Sequence, residues 1–212
     1  FVTGSLLEAP EHGSFDYIDC CGVLHHLPEP AAGFTALRGA LAEGGGLGFM
    51  VYAPLGRSGV YPLQAAFSAL LEGLPPKERL AQAKEIFARL PEGHPFSTNP
   101  HLVDHGQSDA GFYDLLLHGQ DRSYAVPELV EVLDDTGWEI QSFATPVLYD
   151  PTLFAPVPEQ MPEPARWALA ENLGGTLKTH VAYAVPKGAR RPLATGTDRS
   201  LVPHLRGVGA RP

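Results

Sequence analysis

The amino-acid sequence predicts an α/β fold with a mostly parallel sheet and an inserted helical cap. Two apolar runs of strand length, residues 15–23 and 47–53, flank a segment whose apolar side chains recur at helical spacing. A second alternation of helix and strand begins near residue 127, after a long stretch of helical pattern at 54–123. With 44% apolar and 18% charged residues, the chain has the composition of a globular domain.

The first half of the domain is predicted from residues 15 to 53. A strand is expected over 15–23 and a helix over 30–42, and the glycines at 44–46 should form a turn before a second strand at 47–53. Strand, helix and strand in this order are typical of a βαβ unit, whose parallel sheet is buried on both faces.

Residues 54–123 are predicted to form a helical cap inserted after a sheet strand. Three apolar stripes at helical spacing are present: Leu63, Phe67, Leu70 and Leu74; Leu80, Ala83, Phe87 and Leu90; Phe112, Leu115 and Leu116. An insertion that leaves a sheet at the end of a strand most simply covers the strand ends.

The α/β pattern returns after the cap. Pro127 and Gly137 bracket a helix predicted over 128–136, because proline favours the first turn and glycine the position past the end. The remaining elements predicted are a strand at 138–144, a helix at 164–173 and a strand at 180–185. We therefore assign 1–187 to one domain and the aperiodic residues 188–212 to a flexible tail or linker.

Composition excludes several classes of function. The 15 Lys and Arg residues against 24 Asp and Glu residues give a net charge of −9, which argues against binding to nucleic acid. No apolar run approaches the roughly 20 residues that span a bilayer. Cys20 and Cys21 are neighbours on a strand and point to opposite faces, so we expect no disulfide and a cytoplasmic location. A small molecule or a protein remains as the expected partner.

Three sequence motifs carry a resemblance to a known family. Residues 16–27 (DYIDCCGVLHHL) are similar to the fourth-strand motif of class I S-adenosylmethionine-dependent methyltransferases, and 41–47 (LAEGGGL) resemble the turn that leads into their fifth strand. Residues 3–7 (TGSLL) resemble the end of strand three. The resemblance implies a Rossmann-like three-layer α/β/α sheet with strand order 3-2-1-4-5-7-6, of which this chain would hold strands three to seven.

The chain also departs from the family pattern. Ala42 and Glu43 stand where the family often has Lys-Pro, and the glycine cluster at 44–48 precedes a strand instead of opening a helix. The family's glycine loop after strand one, and the acidic residue that ends strand two, have no counterpart here. We therefore expect a fragment that lacks the N-terminal glycine loop and binds S-adenosyl-L-methionine poorly or not at all on its own. We also expect it to expose the edge of strand four and to aggregate or oligomerise through that edge.

The resemblance implies cofactor contacts at Ser5, Leu6, Cys21, Gly22 and Val23. For the last three, the simpler alternative is a strand that ends in a turn and binds nothing.

The same resemblance places His25 and His26 close to the methyl group, where a neutral imidazole can accept a proton from the substrate. Alternatively, one histidine caps a helix and the other packs in the wall of a crevice.

Polar residues of the cap are the candidates for binding the methyl acceptor: Asn99, His105, Asp109, Tyr113, Asp121 and Arg122. Loop turns, helix caps and core packing are the alternative roles for these side chains. His101 and His105 lie four positions apart, but we expect no metal site because no further ligand is fixed nearby.

The predicted function is transfer of a methyl group from S-adenosyl-L-methionine to a small-molecule or protein acceptor. Two alternatives stay open: a non-catalytic Rossmann-like binding module and a nicotinamide-dependent oxidoreductase with the same layers.

Overall fold

The structure is a computed structural model that describes residues 1–192. Its four strands are Phe15–Cys21 (β1), Leu41–Tyr52 (β2), Trp138–Phe143 (β3) and Thr179–Pro186 (β4). They lie in the order β1-β2-β4-β3, with β1 and β2 parallel and β4 antiparallel to both β2 and β3. Three strands thus share one direction, which confirms the α/β class and matches the 4-5-7-6 part of the implied order.

Six α-helices lie within residues 1–192: Pro30–Gly39 (α1), Val60–Leu70 (α2), Pro76–Phe87 (α3), Asp109–Leu117 (α4), Val126–Asp135 (α5) and Glu163–Gly174 (α6). Each predicted helix is present, with ends that differ by a few residues. No helix in this part of the chain has the length and apolar character needed to cross a membrane.

One face of the sheet carries the main hydrophobic core. Phe49 of β2 and Ala182 of β4 are paired on this face, and both are buried against side chains of α1, α5 and α6. Trp138 at the start of β3 reaches across to α1, where its indole Nε1 donates to the carbonyl oxygen of Phe34 at 2.9 Å. These contacts hold the three helices on the same side of the sheet.

The opposite face of the sheet is open to solvent. Tyr17, Val181 and Tyr183 point to this side and keep 43%, 40% and 46% of their surface exposed. Residues 1–192 therefore supply one of the two helical layers that a three-layer arrangement requires.

The predicted strand at residues 3–7 is wrong. The chain forms a 3₁₀ helix at Leu6–His12, whose first turn is capped by the hydroxyl of Ser5, while Glu8 accepts a hydrogen bond from the backbone N–H of Ser5. This reciprocal capping satisfies N–H groups that a strand would have to pair with a neighbour. Leu6 packs against the main core, and Ser5 caps the helix, so neither residue ends a strand.

The predicted glycine turn at 44–46 is also wrong. Helix α1 ends at Gly39, and the backbone N–H of Phe15 already binds the carbonyl of Ala40 at 2.9 Å. The chain is therefore extended from Leu41 onward. The pairing of β1 with β2 jumps from Phe15–Leu41 to Tyr17–Gly46, so the glycines form a bulge inside β2.

Helices α2, α3 and α4 enclose a second apolar cluster that is separate from the sheet core. Ser108 caps α4 by accepting a hydrogen bond from the N–H of Gly111 at 3.0 Å. The N–H of Gly56 donates to the carbonyl of Leu177 at 2.8 Å and fastens the turn after β2 to the chain that enters β4.

The first residues of the expected tail are bound to β3. Glu139 accepts hydrogen bonds from the N–H groups of Gly188 and Arg190, and Gln141 exchanges two hydrogen bonds with the backbone of Arg191. Residues 188–191 therefore extend the domain, and the rest of the predicted tail, 193–212, lies outside the described residues.

Candidate active site

The candidate site lies at the carboxyl ends of the parallel strands β1 and β2. The chain leaves β1 through Gly22, whose φ of +78° is a conformation that residues with a side chain rarely adopt. Its N–H donates to the carbonyl of Met50 at 3.3 Å. Cys21 and Val23, on either side, are exposed. The turn thus presents bare backbone to solvent at the sheet edge where α/β proteins bind ligands.

His25 is buried directly behind this turn. Its side chain is 1% exposed, and its ring lies 3.8 Å from the ring of Tyr52, centroid to centroid. Within the described chain neither ring nitrogen has a hydrogen-bond partner. Burial lowers the pKa of His25 to about 3, and the positive charge of Arg57, with those that His26 and His118 carry when protonated, acts in the same direction. His25 is therefore neutral and closed to solvent.

His26 is the more accessible histidine of the pair. Its ring lies 4.3 Å from that of His25 on one side and 4.3 Å from that of His118 on the other. Nδ1 of His26 is 3.1 Å from the carbonyl oxygen of Gln120. The turn after β1 and the loop after α4 thus meet at this imidazole.

A buried ion pair lies beside the histidines. Arg57 Nη2 is 3.1 Å from Asp121 Oδ2, and the guanidinium carbon lies 3.6 Å from the centroid of the Tyr52 ring. Gln64 donates a second hydrogen bond to Asp121 Oδ2 at 3.2 Å. The other carboxylate oxygen of Asp121 is buried and has no hydrogen-bond partner within residues 1–192.

Sequence reasoning missed Arg57 and Tyr52. Tyr52 is the last residue of β2, and Arg57 ends the short 3₁₀ helix Leu55–Arg57 that follows. An arginine just past a predicted strand of this sheet was the available signal, because the carboxyl ends of parallel strands share one edge.

The structure brings two predicted acceptor-binding residues to the histidines. Asp121 pairs with Arg57, and the N–H of Arg122 donates to the carbonyl of His25 at 3.1 Å. The guanidinium of Arg122 lies 4.4 Å from the centroid of the Tyr124 ring.

The other four predicted acceptor-binding residues have partners in the cap. Asn99 donates to the carbonyls of Gly56 and Ser58 at 3.0 and 3.3 Å. His105 lies 4.8 Å from the ring of Phe96, and burial lowers its pKa.

Asp109 forms a surface ion pair with Lys84, and Tyr113 packs at the edge of the cap cluster. The structure does not gather Asn99, His105, Asp109 and Tyr113 around the histidines, and their role in binding stays a prediction. Nowhere in residues 1–192 do three or more His, Cys, Asp or Glu side chains converge as metal ligands.

Known proteins resemble this chain in sequence or in structure. No protein-family model matches the chain. Over 137 residues it is 34% identical to an uncharacterized protein of Synechococcus, an alignment that spans 62% of this chain and 33% of that protein.

Two solved structures share the fold. PKMT2 from Rickettsia typhi matches with a TM-score of 0.61 at 11% identity, over 87% of this chain and 38% of PKMT2. The structure of the same protein in complex with AdoHcy matches with a TM-score of 0.62 at 11% identity, over 87% of this chain and 39% of PKMT2. At such identity the likeness shows the α/β fold alone. The chain spans less than two fifths of the length of each of these proteins.

Proposed function

We propose that this chain forms part of an S-adenosyl-L-methionine-dependent methyltransferase and supplies its strand-four turn and its acceptor side. The observation that carries the proposal is the exposed, left-handed turn at Gly22, which lies at the carboxyl edge of β1 and β2 beside His26. The proposal is supported by the shared fold of PKMT2, which has been solved in complex with AdoHcy, the demethylated form of the cofactor.

The residues at this edge suit the cofactor. Cys21, Gly22 and Val23 offer backbone groups and small apolar surface, and no side chain at Gly22 blocks close approach. The case for cofactor contacts at Ser5 and Leu6 is weaker, because Ser5 caps a 3₁₀ helix and Leu6 packs into the core. The cofactor supplies an activated methyl group, so the protein has to orient the acceptor and exclude water.

Asp121 and Arg122 are the proposed acceptor-binding residues. The unpaired carboxylate oxygen of Asp121 is a strong hydrogen-bond acceptor that is costly to leave buried without a partner. This oxygen is enclosed in the structure, so a donor group on the methyl acceptor would pair with it only after the loop that carries Asp121 moves. Arg122 is exposed beside it and provides a positive charge at the rim.

Titration of the ¹⁵N-labelled protein with AdoHcy, followed by NMR at concentrations up to the millimolar range, tests the proposal and detects weak binding. We expect the amide signals of Cys21, Gly22 and Val23 to shift. Gly22→Val should weaken binding at least tenfold, whereas Gly93→Val, in an exposed loop with no atom within 4 Å of the added carbon, should leave binding unchanged. Shifts on titration with NAD and none with AdoHcy would favour an oxidoreductase instead.

A further inference from the structure

One peptide unit holds two imidazole rings of the candidate site. The carbonyl oxygen of Gln120 lies 3.1 Å from Nδ1 of His26. The backbone N–H of the same residue donates to Nδ1 of His118 at 3.2 Å. The two rings are in contact, with their centroids 4.3 Å apart and their planes tilted by 43°.

These contacts determine which nitrogen of each ring carries the proton. A carbonyl oxygen only accepts, so Nδ1 of His26 must donate and therefore carries hydrogen. A backbone N–H only donates, so Nδ1 of His118 must be bare. Because a neutral imidazole holds a single N–H, Nε2 of His26 has a free lone pair, and Nε2 of His118 carries the hydrogen.

His26 Nε2 is also the nitrogen that a ligand can reach. In the described residues it has no hydrogen-bond partner, and it is not among the atoms enclosed by the protein. Both nitrogens of His25 are enclosed. The two adjacent histidines thus differ in accessibility. His25 is a buried, neutral ring packed against Tyr52, whereas His26 has a nitrogen lone pair at the surface of the site.

We propose that Nε2 of His26 accepts the proton that the methyl acceptor loses, and that the Gln120 peptide with His118 is the positioning group that fixes the His26 tautomer. The inference rests on the proposed methyl transfer. The acceptor's N–H or O–H group attacks the methyl carbon, the bond from that carbon to sulfur breaks, and the electron pair remains on sulfur. The acceptor's proton moves to His26.

The arrangement also stabilises the charge that this step creates. When His26 becomes an imidazolium, its Nδ1–H bond to the Gln120 carbonyl turns into a charge-assisted hydrogen bond, which is shorter and stronger than a neutral one. The role fits acceptors that must lose a proton as they are methylated, such as amines and hydroxyls. A thiolate or another acceptor that is already ionised needs no residue to accept a proton.

Two-bond ¹H–¹⁵N correlation spectra of the histidine rings test the tautomers without any assay of activity. At a pH where the rings are neutral, His26 should show the Nδ1–H pattern and His118 the Nε2–H pattern. His26→Asn and His118→Asn assign the signals, and His118→Ala should increase the minor tautomer of His26 at least threefold. A His26 ring with hydrogen on Nε2 would overturn the inference.

Diethyl pyrocarbonate, which reacts with bare imidazole nitrogens, tests access to the lone pair. We expect His26 to be modified at least tenfold faster than His25 and His118, as measured by peptide mass spectrometry. Saturating AdoHcy should slow the modification of His26 severalfold. Equal rates for the three histidines would refute the assignment of His26.

The outcomes separate the two proposals. If AdoHcy does not bind, the methyltransferase proposal fails, and with it the role of His26 in methyl transfer. The tautomer assignment is tested separately, by the NMR spectra. If AdoHcy binds at the Gly22 turn but leaves the reactivity of His26 unchanged, the inference about His26 fails alone.

Discussion

Arg57 and Asp121 form an ion pair that is almost entirely withdrawn from solvent, with 5% and 1% of their side chains exposed. The pair joins the turn after β2 to the loop that precedes α5, across 64 positions of the sequence. Because the arginine also stacks on Tyr52, it holds together the elements that surround His25.

Removal of Arg57 should lower the free energy of unfolding much more than removal of one residue of a surface ion pair. Arg57→Met leaves the Asp121 carboxylate buried without its counter-charge, and we expect the free energy of unfolding to fall by about 3 kcal/mol or more. Lys84→Met is the matched control, because the Lys84–Asp109 pair is exposed and should change stability by about 1 kcal/mol at most. Urea unfolding of the two variants measures both values, and equal losses would contradict the burial of the Arg57 pair.

A side chain at position 22 should destabilise the turn because of the backbone conformation of Gly22. A carbon added there meets only Met50 Cε at 3.6 Å, an ordinary contact, but the φ of +78° is unfavourable for L-residues. We expect Gly22→Ala to destabilise the protein by about 1–2 kcal/mol. Gly22→Asn should cost less, since asparagine tolerates this conformation better. Thermal unfolding would show the order, and an Asn variant no better than the Ala variant would point to crowding as the cause.

His25 should make the folded protein sensitive to acid. The pKa of His25 is lowered to about 3 in the fold, so between the usual histidine pKa of about 6.5 and about 3 the unfolded chain binds a proton that the folded chain does not. The free energy of unfolding should therefore decrease as the pH falls through this range, by up to about 1.4 kcal/mol per pH unit from this group. Above pH 7 the group should contribute no slope.

His25→Phe keeps an aromatic ring against Tyr52 and removes the titration. Its stability should depend less steeply on pH than that of the unaltered protein between pH 6 and pH 4, as measured by urea unfolding. Parallel curves for the two proteins would mean that His25 is protonated in the folded state.

The hydrogen bond from Trp138 to Phe34 should contribute to the anchoring of α1 on the sheet. Trp138→Phe removes the donor and part of the buried ring, and we expect a loss of about 1–3 kcal/mol. Trp167→Phe is the control, because Trp167 is only partly buried and packs edge-on against Phe143 at 5.1 Å. Chemical denaturation of both variants provides the comparison, and a larger loss for Trp167 would contradict the expected order.

Elements with a clear period were predictable from the sequence, and elements defined by distant partners were not. The helices α1 and α5 and the strands β3 and β4 follow from apolar spacing and from their flanking prolines and glycines. The strand at residues 3–7 was predicted only from their resemblance to the end of strand three in the family, and the Ser5–Glu8 capping pair starts a 3₁₀ helix there instead.

The candidate site was predictable only in part, for the same reason. His25 and His26 were found because they follow a strand within a motif. The Arg57–Asp121 pair and the Gln120 contacts depend on a meeting of loops that no local pattern encodes.

The position of β4 has a consequence for the order in which the protein can assemble. Of the four strands in residues 1–192, β4 is synthesised last, yet it lies between β2 and β3 and is the sheet neighbour of β3. Residues 138–143 must therefore remain unpaired until 179–186 have been synthesised. During that interval the growing chain presents a strand with three apolar side chains and free backbone hydrogen-bonding groups, which is the kind of segment that chaperones bind.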